Sequence, residues 1–457
     1  MDEPGYDGGT RDVPVGIDGP VDRVIVVGAG IAGLTVASAL TRAGVACVVL
    51  EARDRVGGRL HTIDLAGMPV DLGGSWIHHP VGNPLRIFAE QSGLACEPGD
   101  PLPTIGGYDH AERRRLTQHE VDDVLDLQLK RFPDALEELR ARLGDSASAW
   151  QAAEVFVDAS SLDSPRARRA RQALRAVIEA DAADQAERQS LRWLWNEIEY
   201  DGDLFGDLPV DGYGAVVAAM AAGVDVRLGV EVTTVERTRD GVRVQAADGS
   251  SEDGSHVVIT VPLGVLQSGR PHFSPTLPDK RRRLIERLGF GRYEKVALRF
   301  DEPFWAGRGL SHEMVFGPDE DQPALWIFDL HAFGAGPALV AHVFHSATAH
   351  VLDQSADDAT RWVLDTISDL VGAPCPRPVA TAVTSWATDP FTRGAYTHVP
   401  VGADPAWLDE LGEPVGGRIL FAGEHTQSAR TGYADGAMSS GVREAKRLLG
   451  ASEVRLG

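Results

Sequence analysis

The stretch from Arg23 to Thr62 limits what this chain can fold into more than any other. Val24 to Val27 is an unbroken β-branched run, the pattern of a strand buried on both faces of a parallel sheet. Gly28, Gly30 and Gly33 follow in the spacing G-x-G-x-x-G. The first permits a tight turn, the second lets a pyrophosphate approach the backbone, and the third lets the next helix pack close on the strand. Ile31 to Ala43 is apolar nearly all round, as suits a helix pressed against a sheet. Its free N-terminal N–H groups and dipole would face phosphates. Ala46 to Leu50 reads as a second buried strand ending at Glu51, where a carboxylate can accept both ribose hydroxyls. An acid there favours an adenosine with a free 2′-hydroxyl, as in FAD or NAD, over NADP. Glycines also fill ordinary turns. Here strand, glycines, helix, second strand and terminal acid occur in order.

The continuation separates FAD from NAD. Arg53, Arg55, Gly57, Gly58 and Arg59 are followed by Asp71, Leu72, Gly73, Gly74, Ser75 and Trp76. Gly57-Gly58 is a second point of close approach, and Arg59 can pair with pyrophosphate charge. These residues resemble the extended fingerprint of FAD-containing oxidoreductases of the glutathione-reductase structural type, which implies bound FAD.

The 457 residues suffice for two domains with a large core. With 43% hydrophobic and 24% charged residues, composition is that of an ordinary globular protein. No apolar run approaches the roughly 18–20 residues needed to cross a bilayer. Residues 1–20 are acidic and rich in Gly and Pro, without the basic and apolar regions of a signal peptide, and read as a disordered leader. Three cysteines form no disulfide framework, and the scattered histidines show no metal-ligand spacing. A reducing cytoplasm is therefore expected. The net charge of −23 argues against nucleic acid and anionic membranes as partners and favours cationic ligands, although solubility alone also accounts for it.

Along the chain, His78 and His79 occupy a loop before a helix at Leu85–Ser92. Leu116 to about Arg192 reads as helical, interrupting the nucleotide-binding segments and capping a second site. Its basic clusters, Arg113–Arg115 and Arg166–Arg171, are interleaved with acids and read as solvated faces. Six carboxylates between Glu197 and Asp211 could line an acidic mouth, but a polar linker is favoured. Strands are expected at 224–228, 230–236, 242–246, 256–261, 294–300, 325–329 and 338–344, with a helix at 356–371. Lys295 alternates with apolar neighbours, which suggests an inward ammonium, though a snorkelling lysine fits the same pattern. A last strand at 419–422 runs into Gly423-Glu424, then Tyr433-Ala434 and a closing helix, repeating the opening arrangement.

Taken together, GAGIAGL…LEARDRVGGR, DLGGSWIH…GNP, VVITVPLGVL, YEKVALRF, W…DPFTRGAY and ILFAGEHT…TGYADGAMSSG resemble the flavin-dependent amine oxidases. That family includes polyamine and spermine oxidases, monoamine oxidases and flavin histone demethylases. The resemblance implies an α/β fold: a Rossmann-type, glutathione-reductase-like FAD-binding domain with an interleaved α+β substrate domain. The FAD-binding segments would be 21–85, 200–270 and 380–457, and the substrate-binding segments 86–199 and 271–379. It also implies that Gly28, Gly30, Gly33, Glu51, Arg53, Gly57, Gly58 and Arg59 hold the ADP portion, with Val232 beside the adenine. Gly74, Ser75, Trp76 and Trp386 would lie along the cofactor, Trp386 near the isoalloxazine. Gly423, Glu424, Tyr433 and Ala434 would hold the ribityl chain and pyrimidine ring. Lys295 matches the family lysine that holds a water against flavin N5, and Tyr396 and Tyr433 match the two aromatic walls around the amine. His78 matches the histidine of the polyamine-oxidase W-I-H-G, where His79 replaces the glycine. Ala395 stands where monoamine oxidases carry the cysteine bonded to flavin, so noncovalent FAD is expected.

The implied activity is oxidation of a primary or secondary amine, with a polyamine as first guess and oxygen as acceptor. No metal, nucleic acid or membrane is expected to take part, and a monomer or homodimer is equally compatible. An L-amino-acid oxidase, a desaturase or dehydrogenase on the same scaffold, and a non-enzymatic flavin-binding module are the alternatives. An amino-acid oxidase needs an arginine for the carboxylate, with Arg86 and Arg393 nearest the relevant loops. The long insertion and added domain of the histone demethylases are not recognisable, and no chromatin role is expected.

Overall fold

The computed structural model describes residues 16–98, 105–196, 200–202, 206–319 and 324–456. Its first sheet grows from the opening motif. Strand β1 (Arg23–Val27) pairs in parallel with β2 (Ala46–Leu50) on one side and His256–Ile259 on the other. Ile419–Phe421 and Val226–Arg227 complete five parallel strands. Val24, Ile25 and Val26 are fully buried because both sheet faces are covered. Helix α1 (Ile31–Arg42) buries ten of its twelve residues, which explains its lack of a polar face. A Cβ at Gly33 would lie 2.1 Å from the Gly28 carbonyl oxygen, so this helix can sit so close only on glycine.

A helical cap follows. Thr117 and Glu120 form a capping box at its start, and Gln118–Asp126 continues through a π-helical turn at Leu127–Arg131 into Phe132–Leu143. Ala149–Ala159 and the 19-residue α2 (Ser164–Ala182) complete it. The basic run 166–171 is not simply a solvated face. Arg169 is 4% exposed and, with Arg168, pairs with the buried Asp109 at 3.0 and 2.5 Å. The acids that interleave in sequence are the partners that allow those arginines inside.

The second sheet has seven strands, in the order Ala380–Val383, β3 (Tyr293–Arg299), Ala338–Phe344, Leu325–Asp329, His312–Phe316, Ile105–Asp109 and Arg114–Arg115. We call Leu325–Asp329 β4 and Ala338–Phe344 β5. One face packs on Ala356–Val371 through Val296, Leu298, Ile327 and Leu339, with Val363 and Ile367 from the helix. The other face meets the cap through Met314, Phe316 and Phe344, and residues 63–73 through Ala297, Val340 and Lys295. Four strands here escaped the sequence reading: the short Arg114–Arg115 and Ala380–Val383, and the longer Ile105–Asp109 and His312–Phe316. Each of the longer two hides its alternation behind polar or small residues: Glu313 is buried against Arg115, and Gly106 leaves the space that this pair fills.

Pairing also redraws the expected segment boundaries. Ala380–Val383 joins the second sheet, and His272–Ser274 pairs with Val232–Arg237 in a four-stranded sheet beside the first. Of the expected leader, residues 1–15 lie outside the described residues, while the Asp18 N–H donates to the Gly417 carbonyl at 2.9 Å. Glu197, Glu199 and Asp203 of the acidic stretch also lie outside them. Asp207 sits in a short strand paired with Cys96–Pro98 and accepts from Arg86 at 2.6 Å. The closing helix α3 (Ala434–Leu449) begins four residues earlier than its apolar pattern suggests, with Tyr433 as N-cap.

Candidate active site

A cavity of about 1060 Å³ is lined by residues of both large sheets and of the helical cap. That slightly exceeds the roughly 300–1,000 Å³ usual for small-molecule sites. Of the residues that the family resemblance assigns to cofactor or amine, all line it except Gly33, which packs α1 behind the glycine loop.

At one end, Gly28, Gly30, Glu51 and Val232 come together. The Glu51 carboxylate accepts from the Ala29 and Arg53 backbone N–H groups at 2.7 and 2.9 Å. With about four lone-pair directions, it retains two for further donors such as ribose hydroxyls. A Cβ built on Gly30 meets nothing within 4 Å, so open space lies where a phosphate would touch the backbone. No side chain caps the first turn of α1, nor that of α3. Two sets of unsatisfied N–H groups therefore face one cavity.

The two arginines expected to neutralise the ADP portion have protein partners. Arg53 forms a bidentate pair with Asp389 at 2.7 and 2.8 Å and stacks on Phe391. Arg59 donates to the Ala395 carbonyl at 2.6 Å and to Glu424 at 2.8 Å. Burial would raise the Glu424 carboxyl, but Arg59 and its hydrogen bonds hold it below the usual range. Glu424 also accepts from the Thr397 hydroxyl and the Gly432 N–H, both at 3.1 Å. It thus ties the two loops that carry Tyr396 and Tyr433.

Lys295 points inward. Its Nζ donates to the carbonyls of Asp71 and Gly73 at 3.2 and 2.6 Å and to Ser75 Oγ at 2.7 Å, which uses all three protons. Burial pushes this ammonium down to about 8, with the Asp71 carboxylate acting in the opposite sense. Trp386 donates from Nε1 to the Leu72 carbonyl at 3.0 Å, and Glu294, fully buried, accepts the N–H groups of Trp386 and Ala387. Tyr396 donates its hydroxyl to the Ala180 carbonyl at 2.7 Å, which ties it to the end of α2. Arg430, paired with Asp435, lies 3.9 Å over the Tyr433 ring, and the His78 ring meets that ring edge-on at 5.6 Å. His79 is buried but does not line the cavity, and its φ of 48° lies in the left-handed region. That conformation explains why the related motif has glycine at this position.

Among the lining residues that sequence reasoning missed are Tyr293, Trp326, Phe328 and His342. Tyr293 lies two positions before Lys295, on the same strand face. His342 on β5 is the register partner of both Lys295 on β3 and Trp326 on β4. Only the pairing places these three in a row.

The description of the flavin containing amine oxidoreductases matches residues 31–449. The chain belongs to this family. It is 34% identical over 462 aligned residues to a lysine-specific histone demethylase 1 homolog of Oryza sativa subsp. indica, covering 93% of this chain and 54% of that protein. It is 32% identical to a probable polyamine oxidase of Arabidopsis thaliana, covering 92% of this chain and 85% of that one. Apart from the latter, the chain spans about half the length of the curated relatives it matches first. A solved putrescine oxidase variant shares the fold, with a TM-score of 0.74 and 24% identity over 94% of this chain and 99% of that one.

As a member of the flavin-containing amine oxidoreductases, the protein takes FAD, and the cavity suits it. The open space at Gly30, the two uncapped helix N-termini and the remaining acceptor capacity of Glu51 match a dinucleotide with an adenosine end. No cysteine lines the cavity.

Proposed function

We propose that the protein is an amine oxidase acting on a small primary or secondary amine, with oxygen as final acceptor. The observation that carries this reading is the ammonium of Lys295, buried and fully hydrogen-bonded, in the same cavity as Tyr396, Tyr433 and the glycine loop. FAD, held by the glycine loop, Glu51 and the uncapped helix N-termini, would supply the two-electron oxidation at the amine α-carbon, with oxygen as final acceptor and hydrogen peroxide as coproduct. The substrate is left as an imine, which water hydrolyses to an aldehyde or ketone and an amine or ammonia.

The chain's own residues set the conditions. An amine reacts only as the neutral base, because its lone pair must assist loss of the C–H hydride. The rings of Tyr396 and Tyr433 offer π-faces that tolerate developing positive charge and orient the substrate. Tyr396 is fixed by Ala180 and Tyr433 by Arg430, so both walls are held before substrate arrives. Lys295, whose three protons are held by Asp71, Gly73 and Ser75 rather than by a water, sets a fixed positive charge beside the aromatic wall that favours the reaction with oxygen. His78 borders the same space.

An amino-acid oxidase would need a cation for the substrate carboxylate; neither Arg86 nor Arg393 lines the cavity, whereas Arg140 of the cap does, donating to the Leu191 and Leu194 carbonyls. The half-buried, unbridged Cys47, Cys96 and Cys375 suit a reducing compartment, and we place the protein in the cytoplasm. Peroxide release from a panel of amines, amino acids and methyl-lysine peptides, with the visible spectrum of the protein, tests this reading. Peroxide and bleaching of a flavin band with small amines support it. A yellow protein reduced by none of them overturns it.

A further inference from the structure

One wall of the cavity has a composition that limits the substrate beyond its amine. Trp76, Tyr293, Trp326 and Phe328 surround His342, which is 3% exposed. The His342 ring lies 4.6 Å from Phe328 and 5.7 Å from both Trp76 and Tyr293. Its Nδ1 sits 2.7 Å from the Tyr293 hydroxyl. That hydroxyl has no other partner among the described residues, so we assign its O–H to Nδ1 and the imidazole proton to Nε2, the tautomer that satisfies the phenol's donor. Burial first, then the Lys295 ammonium, keeps His342 neutral by driving its basicity well below the usual histidine range.

Charge in this wall is equally one-sided. Lys295, in direct register with His342, is the nearest ion, and its three protons are already committed. No carboxylate stands among these six residues. Elsewhere on the lining, Glu424 is paired with Arg59, Asp435 with Arg430 and Glu231 with Arg270, and Glu51 accepts backbone N–H groups at the adenosine end. Asp134, Glu137 and Asp181 are exposed on the cap, Asp181 near enough to act on the Tyr396 hydroxyl. A second ammonium pushed into this wall would meet Lys295, and the carboxylate that acts on Lys295, Asp71, does not line the cavity. A flat ring meets four aromatic side chains and the imidazole of His342.

We propose that this wall receives the non-reacting end of an aromatic amine, and that His342 Nε2–H is the specificity-determining donor to an oxygen on that ring, as in a hydroxyphenylethylamine. The proposal rests on the amine-oxidase reading above and narrows its substrate. Ring centroids step 5.9 Å from Tyr396 to Tyr293 and 5.7 Å onward to His342, so an amine held at Tyr396 has its ring substituent within reach of the imidazole.

The test uses the holoenzyme with 4-hydroxyphenylethylamine, 2-phenylethylamine and putrescine, followed by peroxide release and by perturbation of the flavin spectrum on binding. The expected kcat/KM order is hydroxyphenylethylamine first, phenylethylamine next and putrescine last. A neutral hydrogen bond predicts about a three- to tenfold gap between the first two, carried by KM. His342→Phe should collapse that gap to near unity, and His342→Gln, which keeps an N–H donor, should restore part of it. Tyr293→Phe, which releases the tautomer, should narrow it as well. Putrescine turned over better than both aryl amines would overturn the inference and leave amine oxidation standing. A gap unchanged in His342→Phe would remove the role of His342. Failure of every amine to bind or reduce the flavin would overturn the amine-oxidase reading and this inference with it.

Discussion

Replacing Lys295 with methionine tests whether the ammonium is as deeply confined as its hydrogen bonds indicate. Burial moves this lysine from its ordinary 10.5 down to about 8. A shift of about 2.5 units, at 1.36 kcal/mol each, means that keeping the proton in the native state costs about 3 kcal/mol relative to a solvated lysine. Below about pH 8 the lysine is protonated in both native and unfolded chains, and that cost is constant. From about 8 to 10.5 the unfolded chain still binds the proton while the native chain loses it. Unfolding then takes up a proton, and native stability rises with pH. Lys295→Met has no such proton, so the stability of the original protein relative to the variant should climb by about 3 kcal/mol across this window. Asp71, which burial raises to about 6, titrates below the window and leaves it clear. Urea unfolding of the flavin-free proteins at several pH values, compared as a difference, measures the effect. Parallel profiles from pH 7 to 10.5 would show that Lys295 is solvated in solution and refute the reasoning. In the flavin-loaded enzyme the same variant should keep its yellow colour and lose turnover.

Other substitutions separate cofactor contacts from packing. Gly30→Val puts its side chain into open space on an extended backbone, so apoprotein stability should change by less than about 0.5 kcal/mol while the flavin absorbance band is lost. Gly33→Ala drives a methyl into the Gly28 carbonyl and should instead lower the thermal midpoint of the apoprotein itself. Arg430→Ala leaves the buried Asp435 carboxylate without its cation, and denaturant unfolding should register a loss of about 3–5 kcal/mol. Glu424→Gln weakens the link between Arg59 and the two tyrosine loops, so flavin should dissociate at lower chaotropic salt or denaturant concentrations than in the parent, as followed by its released fluorescence.

Much of this protein is local and therefore legible in the order of residues. The glycine spacing, the β-branched runs on either side of α1 and the acid at Glu51 specify the first two strands and their helix, because each rests on neighbours within about thirty residues. Lys295 is visible too, since an ionisable residue in an alternating strand must point somewhere. Pairing across long sequence separation is another matter. Nothing near His342 announces that it lies beside Lys295, 47 residues earlier, or that Tyr293 holds its ring. Arg53 and Arg59 look like phosphate ligands until Asp389 and Glu424, more than 330 residues away, are folded against them. Buried ion pairs such as Arg169 with Asp109 and Arg115 with Glu313 hide core positions behind charged letters, because only the partner makes their burial possible. The cofactor-binding motif is thus a property of the chain's local geometry, whereas the substrate wall exists only once distant strands align, since register alone decides which side chains share a face.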